Sequence, residues 1–259
     1  MKIAKNHDAI KKIKDTLKTN SYPNLSTTDD IQILKIINDF NVGIDTLVYS
    51  YEDEFKEDTQ CLLNSLISKS KNVYEISKST YQSIATKENH AGIMAIIELP
   101  KYNLEDLKSK EFLFVLDRLE IPGNIGTIYR TLDSVKADGV ILVDSISKLH
   151  NPKLLSAARG CNLTIPSVDT SYDEAIKWLI ENNYTIFLGE PKLGLDYQSY
   201  DYKGKIAIVV GNERFGINSD WYNHNHKKVF IPMEGNQNSL NVGVAASILA
   251  YEAYMKKKV

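Results

Sequence analysis

From residue 111 onward the chain alternates short, unbroken apolar runs with amphipathic stretches, and this alternation restricts the fold more than any other feature. The runs at 112–116, 140–143, 184–188, 206–210 and 229–232 lack the apolar-polar alternation of a half-exposed strand, as expected of strands covered on both faces. Between them the pattern predicts helices from 124 to about 137 and near 151–159, 173–182 and 241–257. Such alternation predicts an α/β domain with a parallel sheet. In the last helix Val242, Ala245, Ala246, Leu249, Ala250 and Ala253 fall on one stripe, and Lys256, Lys257 and Lys258 complement the C-terminal dipole.

The first hundred residues read differently. A Lys-rich helix near 7–18, a Ser/Thr/Pro turn region near 21–29, a helix near 30–40 and strands near 45–49 and 92–98 predict a small α/β domain. The polar stretch 100–110 reads as the linker, dividing the chain into domains 1–105 and 106–259. No apolar run approaches the roughly 18 residues of a membrane span, and the N-terminus lacks the apolar core of a signal peptide, so a soluble, cytoplasmic protein is expected. Cys61 and Cys161 have neither C-x-x-C nor metal-ligand spacing and are expected to be ordinary buried or half-buried residues.

A formal charge of −2 argues against a protein that grips nucleic acid with its whole surface, so any nucleic-acid binding must be local. Of 31 basic residues only four are arginines: Arg118, Arg130, Arg159 and Arg214. Where lysine is the default cation, arginines are candidates for fork-shaped recognition of phosphate or carboxylate.

Several familiar sites are missing. No G-x-G-x-x-G follows the first strand of the larger domain, and Leu195 stands where a P-loop starting at Gly189 would need its lysine. His224 and His226 have only Asp220 as a nearby acidic partner, so a solvated loop is expected there and no metal is required. Instead, three polar, glycine-containing segments follow predicted strands, where open α/β sheets bind ligands. In the first, 122–130, Asn124 is placed as a helix N-cap and Gly126 would allow close approach of another backbone. Ile125, Ile128, Leu132 and Val135 form its buried stripe, which leaves Arg130 outside it and free to reach a cleft; a plain capped helix accounts for this segment equally well. The second, 211–217, packs Glu213 and Arg214 between two glycines, where neither charge serves the turn itself. The third runs from 231 through Asn238, Ser239, Leu240 and Asn241 into the Ala-rich helix; capping explains Ser239 or Asn241, hardly both.

Together these segments resemble the signature motifs of the SpoU/TrmH branch of the SPOUT RNA methyltransferases, over roughly 111–255. The resemblance implies an α/β domain with a deep trefoil knot, preceded by a small α/β substrate-binding domain, and a homodimer with its site near the subunit interface. It implies S-adenosylmethionine as cofactor, held mainly by backbone groups at Gly211, Ile231 and Leu240, with Gly189 a weaker candidate. It makes Arg130 the central catalytic residue, either as the base or as the group that orients the ribose and a substrate phosphate, with Asn124, Glu213, Ser239 and Asn241 holding Arg130, the ribose and the cofactor loop. Arg159 and Arg214 are candidate RNA contacts. The segment from His90 to Ile97 resembles the closing strand of the family's substrate-binding domain, although 19–30 lacks the arginine-rich stretch common there. Asn238 stands where an acidic residue is often seen. The expected activity is methylation of a ribose 2′-oxygen, in ribosomal RNA before transfer RNA; a catalytically silent RNA-binding protein with the same fold, or a methylase protecting 23S RNA from an antibiotic, are the alternatives.

Overall fold

The structure, a computed structural model, describes residues 1–18, 22–88 and 90–258; residues 19–21 of the expected turn region and of the 19–30 segment lie outside the described residues. The chain forms two compact units, Met1–Pro100 with Leu149–Thr164, and Lys101–Lys148 with Ile165–Val259.

The first unit contains α1 (Asp8–Lys18), β1 (Leu25–Thr28), α2 (Ile31–Asp39), β2 (Gly43–Ser50), α3 (Glu57–Lys69), β3 (Ser70–Ile76), α4 (Lys78–Gln82) and β4 (Ile93–Glu98). Its sheet runs β1-β4-β2-β3, with β2 and β3 parallel and the other pairs antiparallel. The expected turn near 21–29 is corrected: Leu25–Thr28 is a strand, with Ser26, Thr27 and Thr28 buried beside β4. Two adjacent threonines suit a pleated surface, and the Thr16 and Thr27 hydroxyls satisfy each other at 2.5 Å inside it. Cys61 is exposed rather than half-buried.

The second unit begins with β5 (Phe112–Asp117), α5 (Pro122–Ser134) and β6 (Gly139–Val143). After α6 (Pro152–Ala157), which belongs to the first unit, it continues with β7 (Ser167–Thr170), α7 (Tyr172–Glu181), β8 (Thr185–Glu190), β9 (Leu195–Asp196), β10 (Ile206–Val210), β11 (Lys227–Phe230) and α8 (Val242–Lys257). All seven strands pair in parallel, in the order β7-β6-β5-β10-β8-β11-β9. Every residue of β5, β6 and β10 is buried, which is what their unbroken apolar runs require. The last strand ends at Phe230, short of Pro232, because β11 lies between β8 and β9 and a proline has no N–H to give either neighbour.

The stretch 100–110 is more than a tether. Asn103 and Asp106 form a capping box around the 3-10 turn Leu104–Leu107, and Leu107 is wholly buried in the core of the second unit. Trp178 Nε1 donates to Glu105 at 3.0 Å, and the Tyr184 hydroxyl lies 2.7 Å from the Lys110 carbonyl oxygen.

Candidate active site

The ends of β8 and β10 and the loop after β11 enclose a cavity of about 440 Å3. It lies outside the C-terminal ends of the strands, where a parallel α/β sheet presents its loops and its ligand crevice.

Gly211 directly follows β10, and a Cβ there would lie 2.3 Å from the Gly216 carbonyl carbon and 2.3 Å from the Ile217 nitrogen, so only glycine lets the loop fold back on itself. Asn212, 5% exposed, ties this loop down. Its amide donates to the Arg118 carbonyl at 2.8 Å and to Glu120 at 3.0 Å, and its Oδ1 accepts from the Arg214 and Phe215 N–H groups at 2.9 and 3.1 Å. Under the loop, Asp117 at the end of β5 is fully buried and accepts from the Asn218 N–H at 2.6 Å. Burial pushes its carboxyl above the ordinary aspartate range, against the opposing pull of that N–H and of Arg118.

The three motif segments meet in one hydrogen-bonded chain. Asn241 Nδ2 donates to Asn124 Oδ1 at 3.1 Å, and Asn124 Nδ2 donates to Glu213 Oε1 at 2.9 Å. Asn241 also caps α8, its Oδ1 accepting from the Gly243 N–H at 2.9 Å. The expected N-cap role of Asn124 is corrected: Ile121 occupies that position and Pro122 opens the helix, its fixed φ suiting the first turn. Asn124 therefore sits inside the first turn with its amide free to bridge two loops. Ile121 has no capping side chain, and the Glu213 carboxylate stands in, accepting long 3.4 Å bonds from the Glu120 and Ile121 N–H groups beside the positive end of α5.

Asn124, Glu213, Ser239, Asn241, Gly189, Gly211, Ile231, Leu240 and Arg214 all line the cavity. Gly189 leaves its backbone bare because a Cβ would come within 3.2 Å of the Val209 carbonyl oxygen. Asn238 is engaged by Lys192 at 3.1 Å. Arg130 does not line the cavity: it is exposed on α5, and its guanidinium makes no hydrogen bond or ion pair among the described residues. Arg159 is exposed in the first unit, in left-handed conformation just after α6. Sequence reasoning missed Asn212, Asp117 and Glu190. Glu190 lines the cavity, accepts a hydrogen bond from the Tyr222 hydroxyl, and is pushed up by burial, with Lys228 and His226 pulling the other way. Asp117 closes an apolar run and could have been noticed as a charge at a buried strand end.

Walls of Val210, Ile217, Val229, Met233 and Leu249, bare backbone at two glycines and a few convergent polar groups suit a nucleoside-sized ligand with apolar and polar parts. Fold and site thus define a parallel α/β enzyme domain built for a nucleoside-type cofactor. The chain belongs to the SpoU rRNA Methylase family, whose family model matches residues 111–251. It is 29% identical over 178 residues (69% of this chain and 71% of the relative) to the Bacillus subtilis 23S rRNA (guanosine(2553)-2'-O)-methyltransferase RlmP. It is 30% identical over 173 residues (64% of this chain and 60% of the relative) to the Streptomyces viridochromogenes 23S rRNA (uridine(2479)-2'-O)-methyltransferase. Its fold matches the crystal structure of an AdoMet-bound rRNA methyltransferase from Sinorhizobium meliloti with TM-score 0.87 at 22% identity, covering 98% of this chain and 97% of that one.

Proposed function

We propose that the protein transfers the methyl group of S-adenosylmethionine to a ribose 2′-hydroxyl of RNA, with 23S ribosomal RNA as the substrate. The observation that carries this reading is the Asn241–Asn124–Glu213 chain, which joins the three motif segments at one cavity. The substrate follows from the two curated relatives, both named as 23S rRNA 2′-O-methyltransferases.

In this reading the backbone at Gly211, Ile231 and Leu240, with Gly189, holds the cofactor, which when bound supplies an electrophilic methyl group on a sulfonium. No charge on the protein has to attack anything, so the residues act by positioning. Asn124, Glu213, Ser239 and Asn241 fix the cofactor loop and the ribose edge. Arginine is a poor base, with a pKa above about 12, so Arg130 binds the RNA phosphate and orients the hydroxyl, whose proton leaves to solvent as its oxygen takes up the methyl group. Arg214 and Arg159 take further phosphates, and the N-terminal domain expected over 1–105, of which Met1–Pro100 lies in the first unit, serves as the RNA-binding domain.

We also propose a homodimer. Val244, Tyr251 and Met255 are 46, 49 and 58% exposed and, with half-buried Ile248, fall at i, i+4, i+7 and i+11 on α8, an apolar stripe suited to a second copy. No helix among the described residues is long and apolar enough to cross a membrane, and we place the protein in the cytoplasm with its ribosomal substrate.

The test is transfer of labelled methyl from S-adenosylmethionine to unmethylated 23S RNA, 16S RNA and tRNA, for wild type and Arg130→Ala. Label on 23S ribose, reduced about 100-fold or more in the variant while cofactor affinity is kept, is the expected result. Label on tRNA alone would replace the substrate; absence of both label and cofactor binding would leave an RNA-binding protein. Because Arg130 stands outside its own chain's cavity, mixing Arg130→Ala with Glu213→Ala subunits further shows whether a second copy supplies it: regained activity means that it does.

A further inference from the structure

We propose that Phe215 is the platform on which the base of the target nucleotide stacks while its ribose enters the cavity; the inference rests on the RNA methyltransferase reading above and adds the residue that holds the base. At 74% exposure Phe215 is the barest large apolar side chain among the described residues, yet its backbone is tied by hydrogen bonds. Its N–H is bonded to Asn212 Oδ1 at 3.1 Å, the next N–H to the Asn212 carbonyl at 2.9 Å, and the Gly216 carbonyl accepts from Arg118 at 3.3 Å. Gly216, at φ +69°, supplies the left-handed step that turns the chain back after the ring.

A ring left 74% exposed on a tied loop is placed rather than loose. It stands between Arg214 and Gly216, both of which line the cavity. Two apolar side chains that line the cavity, Ile121 and Leu240, are 50 and 36% exposed, so apolar surface is bared at the same cavity as the polar Asn124–Glu213–Asn241 centre. A nucleotide has the complementary layout: a flat π face for the ring, a hydroxylated sugar for the amides, and a phosphate for the exposed guanidinium of Arg214. Unstacked RNA bases are commonly held on aromatic rings and arginine planes, and such stacking tolerates any base. A second copy of the chain fits this ring less well, because its neighbours along the chain are charged residues and glycines rather than an apolar stripe like that of α8.

The experiment compares wild type, Phe215→Ala, Phe215→Leu and Phe215→Trp in methylation of unmethylated 23S RNA, with S-adenosylmethionine affinity and sedimentation measured on each. Expected are a KM for RNA raised about 10-fold or more in Phe215→Ala and in Phe215→Leu, recovery in Phe215→Trp, and unchanged cofactor affinity and oligomeric state. The new indole should also be quenched when 23S RNA is added with S-adenosylhomocysteine, over a background from the buried Trp178 and Trp221. Leucine performing as well as phenylalanine would overturn stacking, and so would an unchanged KM in Phe215→Ala. A shift of Phe215→Ala to a smaller species would assign the ring to a subunit interface instead. A wild type that binds cofactor but labels no RNA would overturn the parent reading, whereas an active wild type with an indifferent Phe215→Ala overturns this one alone.

Discussion

The inner wall of the cavity and its rim are made of the same kinds of residue in opposite conditions. Inside, Asn124, Glu213, Asn241 and Asn212 are bonded to one another or to backbone before any ligand arrives. On and beyond the rim, Arg130, Arg214 and Phe215 are exposed, and the two guanidinium groups have no hydrogen bond or ion pair among the described residues. The difference separates preorganisation from recognition. A closed polar network sets geometry without reorganising at the moment of reaction, and a bare cation or ring has kept its binding capacity for a partner. Substitutions in the wall should therefore damage folding and cofactor affinity together, and substitutions at the rim should spare both.

The largest effect that would sharpen this contrast is expected at Gly211. A methyl group there meets backbone at 2.3 Å, so Gly211→Ala has to open the 211–217 loop, unseating the Asn212 bonds and Glu213 at once. We expect a loss of about 3 kcal/mol in unfolding free energy, with S-adenosylmethionine affinity reduced more than 100-fold by calorimetry. Retained affinity would show that the backbone of this loop is not the cofactor wall.

Glu213→Gln should act less strongly. The amide keeps one acceptor for Asn124 but sets an NH2 against the Glu120 and Ile121 N–H groups and removes the charge at the α5 N-terminus. A rate of methylation about 10- to 100-fold lower with a stability change of about 1 kcal/mol is expected. Equal activity in the variant would break the contrast, because the wall would then tolerate the loss of the carboxylate that joins its motif segments.

Much of this layout is legible in the sequence, and the part that is not has identifiable causes. β5, β6 and β10 announce themselves because burial on both faces leaves only apolar residues. β1 hides because its four residues are Leu25 followed by three small hydroxyl residues, a composition that resembles a turn, and its pairing with β4 is distant in sequence. β9 is two residues long, below any periodicity, and its place beside β11 depends on a distant pairing. At the site, glycines and asparagines marked the right loops, but which asparagine caps and which bridges was decided by Pro122, whose fixed φ starts the helix two residues before Asn124. Arg130 illustrates the limit most clearly: periodicity placed it off the buried stripe, correctly, and could not say what it faces.

The smallest expected effect lies beneath the wall, at Asp117. Burial raises its pKa in the folded protein, so the folded state binds the proton more tightly than the unfolded chain does. The stability tied to this residue is thus complete below its unfolded pKa of about 4 and is lost as pH rises through the elevated folded value. Asp117→Asn keeps an acceptor for the Asn218 N–H and never ionises. Urea unfolding of both proteins from about pH 4 to 7 should show the wild type declining relative to the variant, by about 1 kcal/mol or less across that window. The opposite trend, with the wild type gaining on the variant as pH rises, would mean that Arg118, 3.4 Å away, and the Asn218 N–H outweigh burial. Asp117 would then be a charged anchor of the motif loop, and the wall would owe its order to electrostatics at the strand end as well as to the amide network above it.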